Sequence, residues 1–176
     1  MERLVIIGSS CSGKTAMARR VAEILQVPHI ELDAIHWLPD WKERADNEFR
    51  ELVSSAVAAD RWVVDGNYTL AQDIVWPRAT KIVWLNYSFP VVFWRAFRRT
   101  LIRSVGRQTI FSENKETLRR SFFSRESILW WVITTYRRRR NQFRAIFDGE
   151  DFPGMEFIEL HNQRDTNQFL NTLQGN

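Results

Sequence analysis

The chain has 176 residues, 44% of them hydrophobic, and a formal net charge of +4. This length and composition predict one globular domain over residues 1–176 and exclude a disordered chain. The apolar runs are too short to cross a bilayer, and a lone cysteine, Cys11, excludes an internal disulfide and suits a reducing compartment. No signal peptide is indicated, so we expect a cytoplasmic protein, without a membrane partner, that is a monomer or a homodimer.

The charge is divided unevenly along the chain. Residues 1–87 have a net charge of −2 and residues 148–176 have −5, whereas residues 88–147 contain fourteen Lys and Arg against three Asp and Glu. A basic block of this kind needs a negative partner. The phosphates of a small ligand, a nucleic acid and an anionic surface are the candidates.

The first motif in chain order is a phosphate-binding loop. Residues 8–15 read Gly-Ser-Ser-Cys-Ser-Gly-Lys-Thr, a complete match to Gly-x4-Gly-Lys-[Ser/Thr]. The apolar run 4–7 before the loop suits a buried parallel strand, and the apolar residues after it have helical spacing. A strand, a glycine loop and a helix in this order predict nucleotide binding rather than an ordinary glycine turn.

Each residue type in this loop has a chemical role. Gly8 and Gly13 permit a close backbone approach, and the N–H groups of the loop converge on phosphate at the positive end of the helix dipole. Lys14 can bridge the β- and γ-phosphates of ATP, and the hydroxyl of Thr15 can hold Mg2+. The predicted nucleotide-binding residues of the loop are Gly8, Ser9, Ser10, Cys11, Ser12, Gly13, Lys14 and Thr15.

The rest of the chain alternates between strands and helices. Further strands are predicted at 29–32, 62–64, 82–85 and 157–160, and helices at 49–57, from Pro90, over about 125–147, and from Asp165, where Gln168 would complete a capping box. This alternation indicates an α/β fold with a parallel sheet. Ligands bind beyond the carboxyl ends of such strands, so the phosphate loop and the residues after strands two, three and five are expected to share one cleft.

Two carboxylates are expected in this cleft. Asp33 follows the second strand and can orient or deprotonate an acceptor hydroxyl, or it can cap the following segment. Asp65 ends the third strand as a Walker B carboxylate does and can hold Mg2+, while Gly66 lets the backbone approach a substrate. An ordinary Asp-Gly turn is the alternative for that pair. Trp37 can stack on a substrate base or pack in the core.

The basic block predicts an arginine-lined lid. One face of the helix from Pro90 carries only arginines, namely Arg95, Arg98, Arg99 and Arg103. The other face is apolar and is predicted to pack on the sheet through Trp94, Phe97, Leu101 and Val105. Arginines over a phosphate cleft would neutralise charge during phosphoryl transfer, although a solvated helix face is the alternative. The polar stretch 105–125, with Arg107, is predicted to form the lid.

Residues 137–140 are four consecutive arginines. On a helix they point in all directions and cannot form one patch. Either one or two of them reach the cleft while the rest are solvated, or the cluster binds nucleic acid.

These motifs together resemble the adenylate-kinase-related superfamily, which includes nucleoside monophosphate kinases and the kinases for shikimate and gluconate. The resemblance is closest to a bacterial kinase-like branch known as topology modulation proteins. Besides the phosphate loop, it is carried by the segments 32–37 (Leu-Asp-Ala-Ile-His-Trp), 62–68 (Trp-Val-Val-Asp-Gly-Asn-Tyr), 76–79 (Trp-Pro-Arg-Ala), 90–95 (Pro-Val-Val-Phe-Trp-Arg) and 137–140.

The resemblance implies a three-layer P-loop fold with a five-stranded parallel sheet in 2-3-1-4-5 order. It also implies an acceptor-binding region over about 33–60 and a lid over about 105–125. ATP and Mg2+ would be the cofactors, with Arg103 or Arg107 near the adenine and phosphates and residues 161–164 flanking the adenine. One departure is that Asn67-Tyr68 follows the Asp-Gly turn, where adenylate kinase has Phe-Pro-Arg.

We therefore expect an ATP- and Mg2+-dependent kinase that acts on a small hydroxyl acceptor or a nucleotide phosphate. The predicted catalytic residues are Lys14, Asp33 and Arg107, and the predicted metal ligands are Thr15 and Asp65. The predicted substrate-binding residues are Asp33, Trp37, Asp65, Gly66, Arg95 and Arg99. The alternative is a nucleotide-switched regulatory or DNA-binding protein.

Overall fold

The structure is a computed structural model that describes residues 2–106, 109–110, 114–115, 128–149, 152 and 154–174. Arg107, the side chain of Arg103 and most of the predicted lid at 105–125 lie outside the described residues. Among the helices that the structure does describe, none combines the length and the apolar character needed to cross a membrane.

Strands and helices alternate in the order that the sequence predicts, with additional short helices on one side of the sheet. The strands are β1 (Arg3–Gly8), β2 (His29–Glu31), β3 (Trp62–Asp65), β4 (Lys81–Leu85), β5 (Thr109–Ile110), β6 (Asn114–Lys115) and β7 (Glu156–Leu160). The helices are α1 (Lys14–Leu25), α2 (Leu32–His36), α3 (Asp46–Ala56), α4 (Thr69–Val75), α5 (Phe89–Gly106), α6 (Ile128–Phe147) and α7 (Gln163–Gln174). Short 3-10 turns are formed by Pro39–Trp41 and Trp76–Arg78.

The main sheet is parallel and has the strand order β2-β3-β1-β4-β7. Counted along the chain, its strands are in 2-3-1-4-5 order, so the predicted fold class is confirmed. Ile6 of β1 pairs with Asp65 of β3, and Gly8 pairs with Leu85 of β4. The phosphate loop therefore leaves the sheet at the same edge as Asp65, where ligands bind in parallel sheets.

Alternate residues of β1 belong to two apolar layers, one on each face of the sheet. Leu4 and Ile6 pack in a cluster with side chains of α1, α5 and α7. Val5 and Ile7 pack in a second cluster with side chains of α3 and α4. Helix α6 contributes to both layers, since Val132 lies in the first and Phe143 in the second. This arrangement holds α6, with its arginines, across one end of the sheet.

The predicted packing face of α5 is wrong. Trp94 is 63% exposed and Leu101 is 47% exposed, whereas Val92, Ala96 and Thr100 are buried against the core. Apolar residues occur around most of this helix, so helical spacing alone does not determine which stripe faces the sheet. This helix packs mainly against α6, and its inward face is formed by small and β-branched residues.

Two predicted boundaries also differ. Strand β2 ends at Glu31 instead of Leu32, so Asp33 lies in the first turn of α2. The last helix begins at Gln163 instead of Asp165, because Asn162 Oδ1 accepts the N–H of Asp165 at 3.0 Å. In return, Asp165 Oδ2 accepts the N–H of His161 at 2.9 Å. The capping pair is therefore Asn162 with Asp165, not Asp165 with Gln168.

Candidate active site

The phosphate loop connects β1 directly to α1. Gly8 has a φ of 155°, and a Cβ there would lie 2.7 Å from the Ser12 Oγ, so any side chain would collide with the loop. Gly13 has a φ of 100° and precedes the first residue of α1. These backbone angles favour glycine at both ends of the loop. The N–H groups at the start of α1 are thereby directed into the cleft.

Lys14 is the cation of this loop. Its Nζ donates to the carbonyl oxygen of Ser9 at 3.2 Å. Desolvation by burial lowers the pKa of Lys14, while the negative charges of Asp33 and Asp65 oppose that shift. Both predicted carboxylates are thus within electrostatic reach of the same ammonium group.

Asp65 is held by side chains from two other elements. Its Oδ2 accepts the hydroxyl of Thr15 at 2.7 Å, and its Oδ1 lies 2.7 Å from Nε2 of His29. Asp65 is only 2% exposed, so these contacts fix the carboxylate at the end of β3. A role for His29 was not predicted from the sequence, because the contact joins residues 36 positions apart.

The chemistry of these donors fits Mg2+. The hydroxyl of Thr15 and the carboxylate of Asp65 are hard oxygen ligands. Within the part of the chain that the structure describes, no group of three or more His, Cys, Asp and Glu could hold a metal alone. That pattern suits Mg2+, which proteins often bind with one or two side chains together with substrate phosphates.

Glu31 adds a third carboxylate that sequence analysis missed. It ends β2, where it pairs with Asp65 of β3 in the sheet. Desolvation by burial, together with the charges of Asp65 and Asp33, raises the pKa of Glu31. The cleft floor therefore carries a concentration of negative charge beside Lys14.

Asp33 is bound by a tyrosine from the loop after β3. The hydroxyl of Tyr68 donates to Asp33 Oδ1 at 2.7 Å. Burial and the charge of Asp33 raise the pKa of Tyr68 well above its usual value, so its hydroxyl stays protonated. The side chain of Trp37 forms a further hydrogen bond with Tyr68. Asp33, Tyr68 and Trp37 thus form one hydrogen-bonded chain.

An aromatic cluster supports this chain. His36 lies 4.6 Å from Tyr68 between ring centroids, and Phe49 lies 5.2 Å from Tyr68. Trp37 makes an edge contact with His36 at 4.9 Å and another with Trp41 at 5.6 Å. Trp37 is therefore packed in the predicted acceptor-binding region next to Asp33, and both the stacking and the packing alternatives stay open for it.

Asn67, one of the two residues that depart from the adenylate kinase sequence, and its neighbour Gly66 each have a distinct contact here. The amide of Asn67 pairs with both polar groups of Gly8, since Nδ2 donates to its carbonyl at 2.5 Å and Oδ1 accepts its N–H at 3.3 Å. Gly66 has a φ of 142°, and a Cβ there would lie 2.7 Å from Cβ of Leu32. Gly66 thus lets the loop after β3 approach α2, and Asn67 ties that loop to the phosphate loop.

One of the four consecutive arginines turns toward the cleft. Arg139 is half-buried, and its Nη1 donates to the carbonyl of Asn67 at 3.3 Å. Desolvation and the neighbouring Arg138 lower the pKa of Arg139, whereas Tyr68 opposes that shift. Arg137, Arg138 and Arg140 are exposed. This matches the expectation that one or two of these arginines reach the cleft.

Two arginines of α5 contact the phosphate loop itself, unlike Arg139, which contacts the loop after β3. Arg95 donates to the Ser12 carbonyl at 2.5 Å and stacks over Tyr87 at 4.4 Å. Arg99 approaches the sulfur of Cys11 at 3.9 Å. The structure brings both side chains to the loop that would hold the donor phosphates, rather than to Asp33. Their predicted contact with substrate stays a prediction.

A cavity of about 350 Å³ opens beside the phosphate loop. It lies between α1, α5 and the start of α7, and Gly13, Tyr87, Arg95 and Gln163 are among its lining residues. Gln163 belongs to the segment 161–164 that the resemblance places beside an adenine. On the acceptor side, the backbone of β6 contacts the turn Pro39–Trp41, so this part of the predicted lid segment lies near Trp41.

No protein-family model matches the sequence, and no curated protein matches it. The fold, in contrast, matches solved structures over almost the whole chain. A shikimate kinase from Aquifex aeolicus vf5 is 15% identical with a TM-score of 0.56, covering 98% of this chain and 96% of that one. A gluconokinase from Sinorhizobium meliloti 1021 is 17% identical with a TM-score of 0.53, covering 99% and 94%.

A sugar kinase from Janibacter sp. HTCC2649 is 14% identical with a TM-score of 0.51, covering 99% of this chain and 91% of that one. At these identities the similarity shows the fold alone. The chain has the fold of P-loop kinases, and its activity has to be argued from its own residues.

Proposed function

We propose that this protein is an ATP- and Mg2+-dependent phosphotransferase that transfers the γ-phosphoryl group of ATP to a small acceptor. The observation that carries the proposal is the position of Lys14. Its ammonium lies within electrostatic reach of Asp65, on the predicted metal side, and of Asp33, on the predicted acceptor side. A cation that interacts with both carboxylates could stabilise the charge of a phosphoryl group in transfer from the metal side to the acceptor side.

The donor half of the site is the phosphate loop with Asp65, His29 and the cavity beside α1. Loop N–H groups and Lys14 would hold the phosphates, and the nucleoside would enter the cavity near Gln163. Thr15 and Asp65 would hold Mg2+, which when bound would neutralise charge on the β- and γ-phosphates. Arg103 and Arg107 stay proposed contacts of the adenine and phosphates.

The acceptor half is Asp33 with Tyr68, Trp37 and Arg139. We assign a hydroxyl acceptor to this half. The charges of Glu31, Asp33 and Asp65 would repel the dianion of a phosphate monoester brought next to Asp33. Arg139 would contact an anionic group elsewhere on the acceptor, and Gly66 would line the approach. The resemblance to the topology modulation branch implies no particular acceptor, so it is compatible with this assignment.

In the transfer, the acceptor oxygen forms a bond to the γ-phosphorus. The bond between that phosphorus and the β–γ bridging oxygen breaks, and ADP leaves with the electron pair. The hydroxyl proton passes to the carboxylate of Asp33, within whose hydrogen-bond reach the hydroxyl is held. Lys14 stabilises the charge on the phosphoryl oxygens during the step.

A second candidate function is a nucleotide-switched DNA-binding protein. It is favoured by Arg137, Arg138 and Arg140, which are exposed on α6, a helix without acidic residues. It predicts DNA affinity that falls steeply with salt and that changes when ATP is added. DNA binding that is insensitive to ATP would contradict it.

The test is an ADP-release screen over nucleosides, nucleoside monophosphates and small hydroxyl metabolites. Lys14→Ala serves as the blank, and Arg19→Ala, at an exposed position of α1, serves as the matched control for loss of a basic side chain. We expect acceptor-dependent ADP release by the wild type and by Arg19→Ala at rates at least about 10³-fold above the blank. Release that equals the blank with every compound would contradict the kinase function.

A further inference from the structure

The contact between Tyr68 and Asp33 places a neutral donor on one oxygen of the candidate base. The 2.7 Å hydrogen bond joins the loop after β3 to the first turn of α2. It engages Oδ1 of Asp33 and leaves Oδ2 as the atom for an acceptor hydroxyl. An unpaired aspartate in a helical first turn could take several rotamers, so a fixed donor on one oxygen selects the orientation of the other.

Tyr68 is itself held on several sides. Trp37 hydrogen-bonds with its hydroxyl, and the rings of His36 and Phe49 pack against its ring. Phe49 is completely buried and His36 is nearly so, which leaves the phenol little freedom to move. A donor locked by packing can orient a reactive group to within a fraction of an ångström.

The charge environment keeps Tyr68 in its donor form. Burial and Asp33 both raise the pKa of Tyr68, so the phenol does not compete for the proton released by an acceptor. The other charged groups around the pair are Glu31, Lys14, Arg139 and Glu43, contributed by the end of β2, α1, α6 and the segment before α3. Proton uptake is therefore left to the carboxylate.

We propose that Tyr68 is a positioning residue, which together with Trp37 fixes Asp33 so that Oδ2 faces the hydroxyl of the acceptor. The proposal rests on the proposed function and deepens its acceptor half. It accounts for the departure at Asn67-Tyr68 from the adenylate kinase sequence. In this chain the second position after the Asp-Gly turn serves to orient a carboxylate.

A spectroscopic experiment tests the pair without any acceptor. The chain has three tyrosines, so protein labelled with 3-fluorotyrosine should give three fluorine NMR signals. Loss of one signal in Tyr68→Phe assigns Tyr68. We expect Asp33→Asn to lower the pKa of the Tyr68 phenol and shift its signal, while the signal of Tyr136 stays unchanged. A Tyr68 signal and pKa that do not respond to Asp33→Asn would overturn the inference, whatever the protein phosphorylates.

A kinetic experiment tests the role of the pair with the acceptor found by the screen. We expect Tyr68→Phe to lower kcat about 10- to 100-fold and to leave the KM for ATP unchanged. In an Asp33→Asn background the same change should cost less than about 3-fold, because the group it positions is gone. Trp37→Phe, which removes the hydrogen bond that supports Tyr68, should show a smaller loss than Tyr68→Phe.

The control is Tyr136→Phe, which also removes a buried hydroxyl. That hydroxyl donates to the Tyr87 carbonyl at 2.8 Å, and neither residue is close to Asp33 in the sequence. It should retain kcat within about 2-fold, so a loss confined to Tyr68→Phe excludes a general effect of losing a phenol. Equal losses in the two backgrounds would mean that Tyr68 acts independently of Asp33 and would overturn the positioning role. A wild type that phosphorylates nothing would instead overturn the proposed function, and the role of Tyr68 with it.

Discussion

The two halves of the proposed cleft are built in different ways. The phosphate loop of the donor half lies in one contiguous stretch, in which β1, the five residues 9–13 and α1 follow each other along the chain. The acceptor half joins α2, the loop after β3 and α6, and its Asp33–Tyr68 and Asn67–Arg139 contacts span 35 and 72 positions. A local motif can thus specify the phosphate site, whereas the acceptor site depends on how distant elements pack.

The phosphate loop owes its shape chiefly to backbone conformations at Gly8 and Gly13, and side chains such as Asn67 and His29 support it and Asp65 from outside. Asp33 owes its orientation to Tyr68, which in turn needs Trp37. Substitutions that act on one half and spare the other can test the division.

The largest effect among these is expected for His29→Phe, which acts on the donor half. Loss of the imidazole leaves Oδ1 of the buried Asp65 without its 2.7 Å partner. We expect the Mg2+ concentration for half-maximal activity to rise about 10- to 100-fold, as for other residues that orient a metal ligand. His29→Gln, which retains a donor, should recover part of the loss. An unchanged Mg2+ dependence in His29→Phe would show that Asp65 does not need this contact.

A smaller effect is expected for Arg139→Gln, which acts on the acceptor half. Loss of the half-buried guanidinium should raise the KM for the acceptor about 10-fold and leave the KM for ATP unchanged. The matched control is Arg138→Gln, because Arg138 is the exposed neighbour on the same helix. Steady-state kinetics with both substrates varied distinguish the two outcomes. Equal behaviour of the two variants would remove Arg139 from the acceptor site.

The smallest effect is expected for Asn67→Ala, which breaks the link between the halves. Two hydrogen bonds to Gly8 are lost, which should lower the free energy of unfolding by about 1–2 kcal/mol. We expect the Kd for ATP to rise about 5-fold, because the loop is no longer tied to the loop after β3. Asn47→Ala, at an exposed position of α3, is the control. A wild-type Kd for ATP in calorimetric titration of Asn67→Ala would mean that the phosphate loop keeps its shape without the contact to Asn67.

Sequence reasoning was most effective where the signal is local. The loop at 8–15 and the strand that ends at Asp65 were found from adjacent residues, and the sheet order followed from the resemblance. His29, Tyr68 and Asn67 were missed because their roles are contacts across 35 to 59 positions. No pattern within one element indicates which distant side chain will lie against it.

Helix α5 shows a second limit. Its apolar residues occur on more than one side, so helical spacing alone does not determine which side is buried. The structure buries Val92 and Ala96 and exposes Trp94. Arg95 and Arg99 of the same helix reach the phosphate loop, Arg98 is exposed, and their predicted contact with substrate stays a prediction. Their charge limits them to positions near solvent or a polar partner.

The most direct test of one shared cleft is phosphoryl transfer by Asp33→Asn. Label from [γ-32P]ATP is followed to the acceptor, and the Kd for ATP is measured in parallel. The account predicts that transfer falls about 10²- to 10³-fold while the Kd for ATP stays within about 2-fold of the wild type, because Asp33 serves the acceptor alone. Undiminished transfer to the acceptor by Asp33→Asn would contradict it.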